Sequence, residues 1–178
     1  MSEPPSHGPR IRKIPVGEDR PRLVCDDCGF ILYENPKIIV GAVCTWEDRY
    51  LLCRRAIEPR RGFWTMPAGY MELDESVEEG AVREVWEEAC ARVELDGLLA
   101  VFSIPRISQV HMIYRARMLS AECAAGPESE EVGLFRWDEI PWQDLAYPNV
   151  AWSLEYERET RGRRDFAPRS IRLPQLGT

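Results

Sequence analysis

Residues 69–91 constrain this chain more than any other stretch. They carry Glu72, Asp74, Glu75, Glu78, Glu79, Glu84, Glu87 and Glu88 against a single base, Arg83. Ser76 is followed three residues later by Glu79, which is the form of a capping box and predicts a helix over residues 76–91. Residues three and four apart share a helix face, so Glu84, Glu87 and Glu88 point one way. Val82, Val85, Trp86 and Ala89 are expected on the other side, toward the core. Like charges at i,i+4 cost about 0.2–0.5 kcal/mol per pair. A solvated charged face, the common fate of such runs, relieves this with interleaved Lys or Arg, yet no base follows Arg83 until Arg92. A divalent cation relieves it too. Carboxylates are hard oxygen ligands that suit Mg²⁺ or Mn²⁺, and Mg²⁺ commonly shares its shell with substrate phosphates.

The net charge of −7 argues against non-specific nucleic-acid binding, which needs a basic face. It also means that a polyphosphate substrate would need a metal between two negative partners. No apolar run is long enough to span a membrane, and the N-terminal residues lack the apolar core of a secretory signal, so a cytoplasmic location is expected. With no export signal, the six cysteines are not expected to form a disulfide framework.

Prolines 4, 5, 9, 15 and 21 break any periodicity, so the N-terminal segment is expected to be irregular. Residues 38–46 form a continuous, partly β-branched apolar run and read as a buried strand, with 50–53 returning as its hairpin partner. A loop and short strand lead to Gly69. Strands are expected at 98–104, 109–118 and 132–137, and a second helix at 150–160. The Arg- and Pro-rich tail, 161–178, is expected to be loosely held. Strands with two clear helices imply an α/β protein whose mixed sheet packs between helices.

The spacing in the acidic stretch is Gly69, five residues, Glu75, seven residues, then Arg83-Glu84-Val85-Trp86-Glu87-Glu88-Ala89-Cys90-Ala91. This resembles the Nudix box, G-x5-E-x7-R-E-U-x-E-E-x-G-U with U aliphatic. Cys90 replaces the last glycine, and Ala91 is a small version of the final aliphatic residue. The departure bears on the loop after the helix more than on the glutamates. Further stretches are similar to one Nudix branch that carries an N-terminal zinc ribbon and includes the plant chloroplast FAD pyrophosphatase. They are Asn35-Pro36-Lys37, Leu51-Leu52-Cys53-Arg54-Arg55, Trp64-Thr65-Met66-Pro67-Ala68-Gly69 and Gly126-Pro127-Glu128-Ser129.

The resemblance implies a Nudix α/β/α sandwich over residues 35–160, preceded by a short zinc-ribbon-like segment at 1–34, and a homodimer. It implies that Glu84, Glu87 and Glu88, helped by a backbone carbonyl near Gly69, ligate Mg²⁺ or Mn²⁺, while Arg83 and Glu75 form a structural pair. The general base stays open between Glu87 on the helix and Glu128 or Glu131 in the later loop. The aromatics Trp46, Trp64, Phe102 and Tyr114 could stack on a base, although a core role fits each.

Cys25-x-x-Cys28-Gly29 has the spacing of a zinc knuckle, but structural zinc takes four ligands and no second pair stands upstream. A ribbon that has lost its metal is the favoured reading. Zinc completed by His7 or by another subunit, or a chain start lying further upstream, remain alternatives. The expected reaction is hydrolysis of the pyrophosphate bond of a dinucleotide-type substrate, with FAD (cut to FMN and AMP) ahead of ADP-ribose and then NADH. A non-catalytic nucleotide-binding regulator is the alternative of a different class, although such proteins usually lose box glutamates that are kept here.

Overall fold

The computed structural model describes residues 8–173. Two compact units divide the chain, one ending at Pro36 and one starting at Lys37.

The first unit is a small antiparallel sheet of β1 (Ile11–Lys13), β2 (Arg22–Val24) and β3 (Ile31–Leu32), with β2 in the middle. This corrects the expectation of irregular structure. Pro9, Pro15 and Pro21 flank these strands instead of interrupting them, so Arg12 pairs with Leu23 and Leu23 with Leu32 without loss of a ladder donor. Glu18 ties the connection down, accepting from Arg22 at 2.9 Å and from the Tyr33 hydroxyl. His7 lies outside the described residues.

The second unit is built on β4 (Lys37–Trp46), which is buried from Ile39 to Cys44 as its apolar run predicts. It turns through Glu47 and Asp48 into β5 (Arg49–Arg55). Two short strands, β6 (Trp64–Thr65) and β7 (Ala68–Tyr70), pair with β5 and β4 respectively. Helix α1 (Val77–Ala89) follows, then β8 (Val93–Ile104), β9 (Gln109–Met118), β10 (Ser129–Arg136), α2 (Pro148–Thr160) and β11 (Arg169–Arg172). The sheet order is β10-β5-β4-β9-β8-β11. The pairings β4–β9 and β8–β11 are parallel and the rest antiparallel, so the sheet is mixed.

Alternation along β4 sends Val40, Ala42 and Cys44 to one face, under Ala81, Val85 and Ala89 of α1. Val43 goes to the other face, with Phe102, Ile113, Val150 and Leu154 under α2. The architecture is therefore the expected α/β/α sandwich. The tail differs from expectation: β11 lies parallel to β8, from Arg169 opposite Ala100 to Arg172 opposite Ser103. No helix among the described residues is long and apolar enough to cross a membrane.

Helix α1 also corrects the expected faces. Its buried arc is Gly80, Ala81, Glu84, Val85, Glu88 and Ala89. The small seam of Ala81, Val85 and Ala89 lets the helix sit close on β4. Val82 and Trp86 fall one step further round and are exposed. Glu84 and Glu88, expected to point away from the core, are buried.

Candidate functional site

The predicted capping box is present: Ser76 Oγ accepts from the Glu79 amide at 3.2 Å, and Glu79 Oε2 accepts from the Ser76 amide at 2.8 Å. It starts α1 immediately after the loop that leaves β7. Arg83 holds that loop to the helix. Its Nε and Nη2 donate to the two oxygens of Glu75 at 2.9 and 2.7 Å, and Nη2 also reaches the Tyr70 carbonyl at 3.0 Å. Its Nη1 donates to Glu84 Oε1 at 2.7 Å and to Glu87 Oε2 at 3.0 Å. Glu75 accepts a further bond from the Glu72 amide at 2.7 Å. The Arg83 hydrogen bonds, then this amide, hold the Glu75 carboxyl down at about 2.

Gly69 sets the depth of the site. A Cβ there would lie 2.4–2.5 Å from the carboxylate atoms of Glu84, so that carboxylate lies directly against the glycine backbone. Burial raises the Glu84 carboxyl above its usual range, with Arg83 pulling the other way. Glu88 is more extreme. Burial first, and the neighbouring Glu84 second, push it up to about 8. Its Oε2 has no hydrogen-bond partner among the described residues. A buried polar oxygen left in this way is costly unless something else completes it.

That stranded oxygen tests the fit of a divalent cation. No three His, Cys, Asp or Glu side chains among the described residues already converge on one point, because Glu84 and Glu87 both turn to Arg83. Mg²⁺ does not require a full protein cage. It keeps waters and takes one or two carboxylates with substrate phosphates. Two adjacent buried carboxylates, one with an unpartnered oxygen, beside the Gly69 backbone fit that need.

The C-terminal end of α1 shows how the chain manages without the box glycine. Cys90 itself takes the left-handed conformation, φ 49° and ψ 24°, and its amide closes on Trp86 O. The segment before β10 supplies further donors. The Ala124 amide bonds Ala89 O at 2.9 Å, and the Gly126 amide bonds Glu88 O at 3.1 Å. Only glycine fits at 126, since a Cβ would come 1.7 Å from Glu87 O.

The three candidate bases are placed differently. Glu87 sits at the rim of the cluster, on Arg83. Glu128 lies in the turn before β10, and its charge is felt by both Glu84 and Glu88. Glu131 lies on β10 beyond a bulge, 3.7 Å from Arg54 Nη1. Arg55 was not singled out from the sequence, yet its positive charge stabilises ionised Glu88. Its place at the end of β5, in the Arg54-Arg55 pair, was the available signal. Also missed was a polar chain linking β7 and β9: Gln109 Nε2 donates to the Tyr70 hydroxyl at 3.3 Å, and His111 Nε2 lies 3.0 Å from Gln109 Oε1.

The stacking candidates fall in or against the core. Phe102 and Tyr114 are buried, Trp64 packs edge-on against Phe135, and Trp46 packs against the α1-side cluster. In the first unit, Cys25 is buried and Cys28 exposed.

Comparison with known proteins agrees with this geometry. The NUDIX domain model matches residues 35–156, and a Nudix N-terminal zinc-ribbon model matches residues 8–34. The crystal structure of a Nudix hydrolase from Nitrosomonas europaea superposes with a TM-score of 0.85 and 47% identity, covering 92% of this chain and 94% of that one. An ADP-ribose pyrophosphatase from Methanocaldococcus jannaschii is 28% identical over 74% of this chain and 79% of its own. The crystal structure of an ADP-ribose pyrophosphatase from Streptococcus suis is 26% identical with a TM-score of 0.63, covering 76% of this chain and 99% of that one. With the box glutamates set against Gly69 and the domain model spanning most of its length, the chain belongs to the Nudix family of hydrolases.

Proposed function

We propose that the chain hydrolyses the pyrophosphate bond of a nucleoside diphosphate derivative in a reaction that depends on Mg²⁺ or Mn²⁺, with ADP-ribose as the first substrate to expect. The observation that carries the metal dependence is the buried, unpartnered Glu88 Oε2 beside Glu84. Glu84 and Glu88 would hold the metal, with Glu87 at the rim and the Gly69 backbone helping. Bound metal supplies neutralisation of charge on the phosphoryl oxygens and makes the attacking water more acidic.

The chain's own residues do the positioning. Arg83 fixes the 69–75 loop on α1 through Glu75 and the Tyr70 carbonyl, so the wall around the pyrophosphate is preformed. Arg55, close enough to act on Glu88, is placed to meet a phosphate oxygen. The proton of the attacking water goes to Glu87 or Glu128. Glu131 is the weaker candidate because Arg54 already engages it. Tyr70, Gln109 and His111, joined by hydrogen bonds between β7 and β9, are candidates to meet the nucleoside.

Relatives named ADP-ribose pyrophosphatases support putting ADP-ribose ahead of FAD, the opposite of the order expected from the sequence. The resemblance of stretches outside the box to the branch with the FAD pyrophosphatase keeps FAD as the competitor. The test is chromatography of products after incubation with ADP-ribose, FAD or NADH, with Mg²⁺ or Mn²⁺ and a chelator control. AMP and ribose 5-phosphate formed fastest, and only with metal, are expected. Faster release of FMN from FAD would restore the flavin reading. Binding without turnover of any of the three would overturn the enzymatic one.

A further inference from the structure

The match to a Nudix N-terminal zinc-ribbon model implies a metal at the Cys25–Cys28 knuckle. Among the described residues, those there do not fit one. Structural zinc takes four protein ligands. The described residues bring two thiols, and no third His, Cys, Asp or Glu side chain gathers with them. What the fold builds instead is a pair of unlike thiols. The turn is closed by the Gly29 amide on Cys25 O and the Cys25 amide on Phe30 O, both at 2.8 Å. The Cys25 thiol is held below its ordinary range, chiefly by the backbone of Cys28 and of Asp27 and then by the Cys28 thiol. Cys25 is 5% exposed, whereas Cys28 is open to solvent. Amide donors converging on a sulfur favour its thiolate.

We propose that Cys25 and Cys28 are a metal-free dithiol that closes reversibly to a disulfide by exchange with a small-molecule disulfide. Exposed Cys28 meets the oxidant R–S–S–R. Its sulfur bonds to one sulfur of R–S–S–R, the S–S bond breaks, and the first RS⁻ leaves and takes up the Cys28 proton. The Cys25 thiolate, in the same closed turn, then attacks the Cys28 sulfur. The Cys25–Cys28 bond forms, and the second RS⁻ leaves and takes up the proton that Cys25 gave up. Two electrons pass from the protein pair to the oxidant, which ends as two thiols. The asymmetry assigns the parts: the accessible thiol captures, and the sheltered, amide-supported one resolves. Cys44 and Cys53 are buried, with thiols pushed up by that burial, and stay outside this chemistry.

The test uses the full chain with oxidised glutathione, digested without reductant and mapped by mass. A Cys25–Cys28 disulfide with no glutathione retained at Cys28 is expected, reverting with a dithiol reductant. Cys25→Ser should trap glutathione on Cys28, and Cys28→Ser should leave Cys25 unmodified. Glutathione held stably on Cys28 of the unaltered protein, or no reaction at either thiol, overturns the proposal. So does an equivalent of zinc in the native protein that is released when these two thiols are titrated. None of these outcomes bears on pyrophosphate hydrolysis, so the two readings fail independently.

Discussion

Glu84 and Glu88 are 8% and 7% exposed, while Val82 and Trp86 on the same helix are 38% and 49% exposed. The two arcs of α1 differ in cost as well as in polarity. An apolar side chain left in water forgoes a modest gain and is common on protein surfaces. A carboxylate taken out of water is expensive unless it is paired, or else it gives up its charge. Glu84 is paired with Arg83, and Glu88 is pushed toward its protonated form. The helix therefore carries its largest local penalty at one place, against Gly69, where the proposed metal would relieve it. The outer arc carries no comparable penalty.

The sharpest way to break this contrast is Glu88→Gln, which keeps shape and removes charge. Turnover of the best substrate should fall by more than the roughly 10–100-fold typical of losing a residue that merely supports a metal ligand. The thermal midpoint of the metal-free protein at pH 8 should hold or rise, because no charge remains to desolvate. Steady-state kinetics and melting, side by side, check both. Full activity in the variant would remove Glu88 from the metal site.

Next in size is a pH effect. In the metal-free fold Glu88 titrates at about 8 against an ordinary 4.5, so between those values the folded chain binds more protons than the unfolded one. Its contribution to stability is full below 4.5 and is lost as pH rises through about 8. His111, which burial pushes down to about 4 from 6.5, works the other way below 6.5. Glu75, held at about 2, loses its contribution only below 4.5. The Glu88 signal is therefore cleanest from about pH 6.5 to 8, where the melting temperature in chelator should fall with rising pH. Saturating Mg²⁺ should flatten that slope. An equal slope with and without metal would separate the buried carboxylates from metal binding.

The smallest effect belongs to the outer arc. Trp86→Gln should cost at most about 1 kcal/mol, chiefly the stacking of Arg92, whose guanidinium lies 5.7 Å from the ring. Melting and light scattering check it together. A larger loss, or a change in molecular mass, would mean that a second copy covers this face and that Trp86 is not a surface residue in solution.

Much of this was legible in the sequence because the signals were local. The Ser76–Glu79 capping box, the apolar run of β4 and the spacing from Gly69 to Glu88 each act within a few residues. The side of α1 that would be buried was not legible. It depends on how closely β7 brings Gly69 to Glu84, a long-range contact that periodicity does not encode. The separation of Glu128 from Glu131 also depends on a bulge in β10. Strands β1 to β3 were hidden because they are two or three residues long and mostly unburied, so they carry no alternation to read.

Strand β11 has a consequence away from the chemistry. Beyond β8 the sheet would otherwise present a row of free backbone donors and acceptors, the template on which chains add to one another. Four residues, Arg169–Arg172, occupy that edge, and the new edge they make is short and bears two arginines. A chain cut back to the end of α2 would keep its box glutamates and expose β8, so its failure would be self-association through that edge, with the hydrolytic machinery still in place.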